Sequence, residues 1–327
     1  MATRRNVILG AGIGAMSLEG AMAGASDLFA TRQVQDDLAR YDGFGLKASG
    51  GAGDEASGAW LTRELQGLGF EVRRQAIEVP YFEERQVSLA LGDKVVAALV
   101  QAPVTLTPAG GLSARLVRLE VGQGADAATG AIAIARLPYG RWSTRHAGAV
   151  AKVVRAALGQ GVGALILVTE GPTGQPLALN AAPDGVERFP ILAVGSREGE
   201  LLAAAAARGE RATLRIEGMS GRRPAFNLVG RLDRGAGREL VVSTPRSGWF
   251  GCMGERGGGV AAWLGLARWA SRACPLDLTF VATSGHEYEN HGGEVFLRSA
   301  LAPRPDVTAL WVHLGAALAE GLTAGIF

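Results

Sequence analysis

Cysteine and histidine are scarce in this chain, at two and four among 327 residues. Cys252 and Cys274 are too few for a disulfide scaffold, and sequence leaves open either one bridge or two free thiols. Charge of one sign is missing as well. The 33 Lys and Arg against 31 Asp and Glu leave a formal +2; they are interspersed with no basic stripe, which argues against a nucleic-acid partner. No apolar run is long enough and free enough of glycine to read as a membrane span. Glycine is plentiful at 48 residues, but without the three-residue period of collagen, and 48 % hydrophobic residues exclude a disordered chain. What remains is a folded chain rich in tight turns, with two to three domains expected from its length.

Residues 1–25 support two incompatible readings. In one, Arg4-Arg5 is a twin-arginine n-region, Val7 to Leu18 a short h-region and Ala21-Met22-Ala23 or Ala23-Gly24-Ala25 a cleavage site, so the protein is exported, to a periplasmic or extracellular location. In the other, Gly10, Gly12 and Ala15 form the G-x-G-x-x-A turn of a dinucleotide-binding oxidoreductase. That turn calls for a second strand ending in Asp or Glu about twenty residues on. The chain instead places apolar residues at helical spacing over Asp27 to Leu38, which favours the leader.

Further on, a helix is expected over Asp54–Leu68, then a strand over Phe70–Val79 closed by Pro80, and more strands over 88–107. The segment from Gly110 to about Gly218 has its own rhythm. It carries strands at Ala131–Ala135, Ala164–Val168 and Phe189–Val194, and helices at His146–Leu158 and Glu198–Ala207. From Asn227 onward, strands at Leu240–Ser243, Leu278–Thr283 and Thr308–Val312 alternate with a helix at Val260–Ala270. This predicts a parallel α/β sheet, whose ligands bind outside the C-terminal strand ends. Arg246 and Ser247, then His286 and Glu287, then His313 fall at three such ends.

His286, His291 and His313 cluster with Glu255, Glu287, Glu289 and Glu294, and imidazole plus carboxylate is the ordinary ligand set of a hydrolytic zinc. The bland reading is that these groups cap loops at the sheet edge. His286-Glu287 and His291 do not form H-E-x-x-H, because the second His is five residues on. Ser247 lacks the G-x-S-x-G elbow of a nucleophile, and Cys252 reads as a small residue in a tight loop. Arg246, Ser247, Trp249 and His291 are candidates for a pocket wall.

Asn227-Leu228-Val229-Gly230, Glu239-Leu240-Val241-Val242, Gly258-Gly259-Val260-Ala261-Ala262-Trp263-Leu264-Gly265-Leu266-Ala267-Arg268 and Phe280-Val281-Ala282-Thr283-Ser284-Gly285-His286-Glu287 together resemble the M28 family of zinc aminopeptidases. Residues 148–199 resemble the protease-associated (PA) domain inserted in that family. The resemblance implies an α/β fold, a three-layer zinc-exopeptidase-like sheet with helices on both faces and an inserted β-rich PA domain. The peptidase domain would be discontinuous, 26–109 and 219–327, around an insert at 110–218.

The metal motifs implied by the family are altered. Ser243-Thr244-Pro245-Arg246-Ser247-Gly248 stands where G-x-H-x-D is expected, Glu255 where an Asp bridges two zincs, His286-Glu287 where a Glu pair supplies base and ligand, and His313 near an Asp ligand. The family's last His ligand has no counterpart before Phe327. The resemblance therefore implies His286 as catalytic base and Glu255, Glu287 and His313 as ligands of one zinc or another divalent metal, acting on a peptide or small amide. The alternative is a lapsed enzyme that keeps the cleft and binds without cleaving.

Overall fold

The computed structural model describes residues 31–124, 127–140, 142–171, 173–185 and 187–315. The leader and the dinucleotide turn lie outside them. In chain order the elements are α1 (Thr31–Asp42), α2 (Ala52–Gly67), β1 (Glu71–Leu91), β2 (Lys94–Val96), β3 (Leu99–Val100), β4 (Leu112–Arg118) and β5 (Ile132–Arg136). There follow α3 (Gly148–Gly159), β6 (Ala164–Val168), β7 (Ile191–Val194), α4 (Ser196–Ala207), β8 (Arg211–Leu232) and β9 (Glu239–Pro245). A π-helical turn (Met253–Gly257) then leads into α5 (Gly258–Ala273), β10 (Asp277–Thr283), α6 (His291–Leu297) and β11 (Thr308–His313).

Two long strands organise the molecule. β1 pairs antiparallel with β8 from Glu71 opposite Arg231 to Ala90 opposite Thr213, with one register shift between Glu84 and Gln86. The C-terminal half of β8 joins a sheet ordered β11-β9-β10-β8, and its N-terminal end continues through β4-β5-β6-β7-β3. The expected stop at Pro80 does not occur: β1 runs through it, with Pro80 opposite Arg222. Between the two lobes the ribbon has only two strands, so the missing N–H of proline can face away from the ladder.

In the first lobe β9, β10 and β11 are parallel, as the alternation of strand and helix predicts. β10 meets β8 antiparallel, so the sheet is mixed rather than wholly parallel. Helices α1, α2 and α5 cover one face, where Tyr41, Trp60, Leu65, Phe226, Trp263 and Phe280 are buried together. Trp263 and Phe280 meet edge to face at 5.4 Å. In α5, Val260, Trp263, Leu264, Ala267 and Ala270 recur at three- and four-residue spacing and are all buried; Trp263 and Leu264 each contribute about 2–3 kcal/mol of apolar burial. On the opposite face Val229 and Val281 pack on Phe296 of α6. Helices thus lie on both faces.

The second lobe holds β4, β5, β6 and β7 as a parallel run with β3 antiparallel at its edge. All five residues of β6 are buried, as expected of a strand covered on both sides. Leu89 of β1 and Val96 of β2 pack in the same core as Ile134, Ile166 and Leu202. Residues 89–100 therefore pack with this lobe, although they precede the expected insert start at 110. No helix among the described residues is long and apolar enough to cross a membrane.

Candidate functional site

Because β9, β10 and β11 are parallel, their C-terminal ends open on one edge of the first lobe. β9 delivers Arg246 and Ser247, β10 delivers the turn Ser284 to Glu287, and β11 delivers His313. The π-helical turn adds Glu255 and Arg256, and the loop between α1 and α2 adds Lys47 and Ser49. Gly285 adopts φ +81° at the β10 turn, a conformation that favours glycine.

The inner layer is a closed polar network. Glu287 is buried. Its Oε1 accepts from the Ser49 N–H and the Ser49 hydroxyl, both at 2.7 Å, and its Oε2 accepts from the Ser247 hydroxyl at 2.9 Å. The Gly285 N–H donates to Ser49 Oγ at 2.7 Å and Ser247 Oγ at 2.9 Å. Burial raises the Glu287 pKa, and the serine donors only partly oppose it. Beneath lies a second charged pair. Arg246 Nε and Asp54 Oδ1 are 3.2 Å apart with both side chains wholly buried. The Nε–H is not aimed at the carboxylate, since neither atom has a hydrogen-bond partner. Arg246 instead donates to the carbonyls of Ala282 (3.0 Å) and Phe226 (2.8 Å), and Asp54 Oδ2 accepts from the Gly50 N–H and the Ser284 hydroxyl.

The outer layer centres on Arg256, whose side chain is 1 % exposed. Its Nε donates to the Ser247 carbonyl at 3.2 Å, and its Nη2 donates to Glu255 Oε1 at 2.7 Å and to Nδ1 of His286. A guanidinium only donates, so Nδ1 of His286 accepts and the ring proton sits on Nε2. Burial, then the charge of Arg256, then His313 hold the His286 pKa down at about 3. Burial and Arg256 lower His313 as well. Nδ1 of His313 lies 2.8 Å from Ser243 Oγ, which also accepts from Trp311 Nε1 at 2.8 Å. We assign the Ser243 proton to that Nδ1, which leaves Nε2 of His313 protonated.

The predicted metal set is not assembled. Among the described residues no group of three or more His, Cys, Asp or Glu is arranged to hold an ion. Glu287 is turned inward onto the two serines, and a buried cation, Arg256, stands between Glu255 and His286. The residues present do not fit a zinc ion. Burial and the charge of Arg256 hold the His286 pKa well below the near-neutral value expected of a base there. Arg246 and Ser247 are buried rather than on a pocket wall. Trp249 packs edge to face on Tyr288 at 5.3 Å, within the cluster of Ile77 and Ala181. His291 begins α6, where burial lowers its pKa and its charged neighbours are Arg222 and Asp184 rather than the Arg256 group. Cys252 and Cys274 are both free thiols; burial pushes Cys252 up to about 11.

Sequence reasoning passed over Arg256, Ser49, Asp54 as an ion partner, and Lys47. Arg256 adjoins Glu255 in a Gly-rich loop, where a long cation with no acidic residue at helical spacing was the available signal. Lys47 is buried, donating to the carbonyls of Gly45 (2.7 Å) and Gly251 (2.8 Å). It ties the first glycine loop to the second. Across the site the second lobe leans in: the Ala181 N–H donates to the Glu287 carbonyl at 3.0 Å, and the Thr144 hydroxyl donates to Glu289.

Against solved structures, the chain superposes on a peptidase M28 precursor from Shewanella amazonensis with a TM-score of 0.73 at 18% identity, covering 86% of this chain and 70% of that one. The zinc aminopeptidase BSAP from Bacillus subtilis gives 0.69 at 16%, covering 86% and 68%. This is a zinc-aminopeptidase fold. An aminopeptidase from Aneurinibacillus gives 0.64 at 18%, covering 86% and 69%. No family model and no curated protein matches the sequence.

Proposed function

We propose that the chain is a binding protein built on the zinc-aminopeptidase fold, which receives a peptide or small amide at the strand ends with a guanidinium in the place of an ion. One observation carries this reading: Arg256 donates to both Glu255 and His286, two of the four residues expected to serve a metal. A divalent cation there would face a fixed positive charge and a carboxylate already engaged. Glu287, the third, is occupied by three buried donors.

The reading extends to an export leader at 1–25, a discontinuous peptidase-like domain at 26–109 and 219–327, and a PA-like insert at 110–218 that supplies contacts to the ligand. The competing reading, a metal-dependent hydrolase, is favoured by the fold likeness to zinc aminopeptidases. It requires Arg256 to swing out and Glu287 to turn around. Hydrolysis of aminoacyl anilides with and without added zinc separates the two. The binding reading expects no metal-dependent turnover; turnover abolished by a chelator and restored by zinc contradicts it.

A further inference from the structure

We infer that the Arg256 group is a receptor for a carboxylate, so that the ligand of the proposed binding site carries a free carboxyl group; this rests on the binding-protein reading above. The donor count leads there. Arg256 Nη1 is buried and has no hydrogen-bond partner among the described residues, although Nε and Nη2 are fully engaged. Buried polar groups are almost always satisfied, and a charged one left unmet is costly, so an open guanidinium nitrogen marks a missing acceptor.

Its neighbours ask for the same thing. His286 accepts at Nδ1, and with the Ser243 proton assigned to His313 Nδ1 both rings present an Nε2–H. Neither Nε2 has a partner among the described residues. The outstanding groups are therefore donors: two imidazole N–H and the Nη1 pair. Glu255 is neutralised through Nη2, and Glu287 faces the serines, so neither carboxylate competes for Nη1. A carboxylate accepts at two oxygens, so one can take the open Nη1 and the other an imidazole N–H. His313 is exposed and His286 half-buried.

The test is calorimetric titration of the full chain with N-acetyl-Ala-Ala, with its C-terminal amide, and with acetate. Tryptophan fluorescence, with Trp311→Phe to subtract the other five tryptophans, is the second readout, because Trp311 Nε1 shares Ser243 Oγ with His313. The acid is expected to bind at least about tenfold tighter than the amide. Acetate matching the dipeptide acid identifies a small organic acid as the source, and the dipeptide acid alone identifies a peptide C-terminus; both support the inference. Arg256→Gln should erase the preference for acid over amide. In case that variant fails to fold, His313→Phe, at an exposed position, should weaken acid binding several-fold and so narrow the preference for acid over amide. Equal binding of acid and amide overturns the inference and leaves the binding reading standing. Failure of both the acid and acetate to bind at millimolar concentration overturns it as well. Binding that requires added zinc overturns the binding reading itself.

Discussion

Arg256 donates from Nη2 to Nδ1 of His286, so a buried cation and a neutral imidazole share the end of the sheet. The contact fixes the tautomer of His286 and opposes its protonation. Both effects can be measured.

The first consequence is a pH dependence. The folded-state pKa of His286 is lowered from 6.5 to about 3, so between these values the unfolded chain holds a proton that the folded chain does not. Stability from this group is complete above pH 6.5 and is lost as pH falls toward 3. Glu287 has the opposite sign. Its raised pKa makes the folded state the better proton binder above pH 4.5, and its contribution falls as pH rises. Comparing wild type with His286→Gln isolates the histidine. The difference in melting temperature should shrink or reverse between pH 7 and pH 4.5, because the variant lacks the acid-side loss; a pH-independent difference would contradict the assignment.

Glu287 should be structural. Glu287→Ala leaves the Ser49 N–H and the Ser49 and Ser247 hydroxyls without their acceptor in a closed interior, at about 1–3 kcal/mol each. The expected loss in urea unfolding is roughly 3 kcal/mol or more, with Glu287→Gln costing less than half as much. If Glu287→Ala unfolds like wild type and abolishes an activity instead, the carboxylate is chemical.

Asp54→Ala strands the buried guanidinium of Arg246 and should cost about 3–5 kcal/mol, because an uncompensated interior charge is worse than none. Adding Arg246→Met removes that charge, so the double variant should be more stable than Asp54→Ala alone. Equilibrium unfolding of the three proteins decides it; additive losses would mean that the 3.2 Å pair is not coupled.

The contact between lobes offers a dynamic check. Glu289 and Asn290 both adopt positive φ, 52° and 60°, which costs energy in residues with a Cβ and persists only when the surroundings hold it. Thr144 bonds Glu289 from the other lobe. Thr144→Val should speed amide exchange over 286–291 and leave the core of β10 unchanged; equal exchange in both proteins would show that the turn is held from within.

Much of the fold was legible because it is written in local periodicity. β6 spans the expected residues, and α2, α5, β9, β10 and β11 extend the predicted runs by a few residues or shift them slightly. Two features were not legible. β1 passes through Pro80 because its pairing is with β8, more than a hundred residues away, and local punctuation carries no trace of that partner. At the site, residue types and positions at the strand ends were readable, but side-chain direction was not. Whether Glu287 faces outward to an ion or inward to Ser49 depends on a hydroxyl 238 residues away. Arg256 carries no metal-site signature in the sequence, because metal chemistry is read from ligand residues and a cation in their midst is the residue that excludes the ion.

The most direct test of that exclusion is elemental analysis of the purified full-length protein after equilibration with zinc and removal of free metal. With Arg256 seated between Glu255 and His286, zinc should remain well below one equivalent per chain, and a chelator should leave the melting temperature unchanged. One or more tightly held zinc ions per chain, with melting lowered by the chelator, would contradict the account.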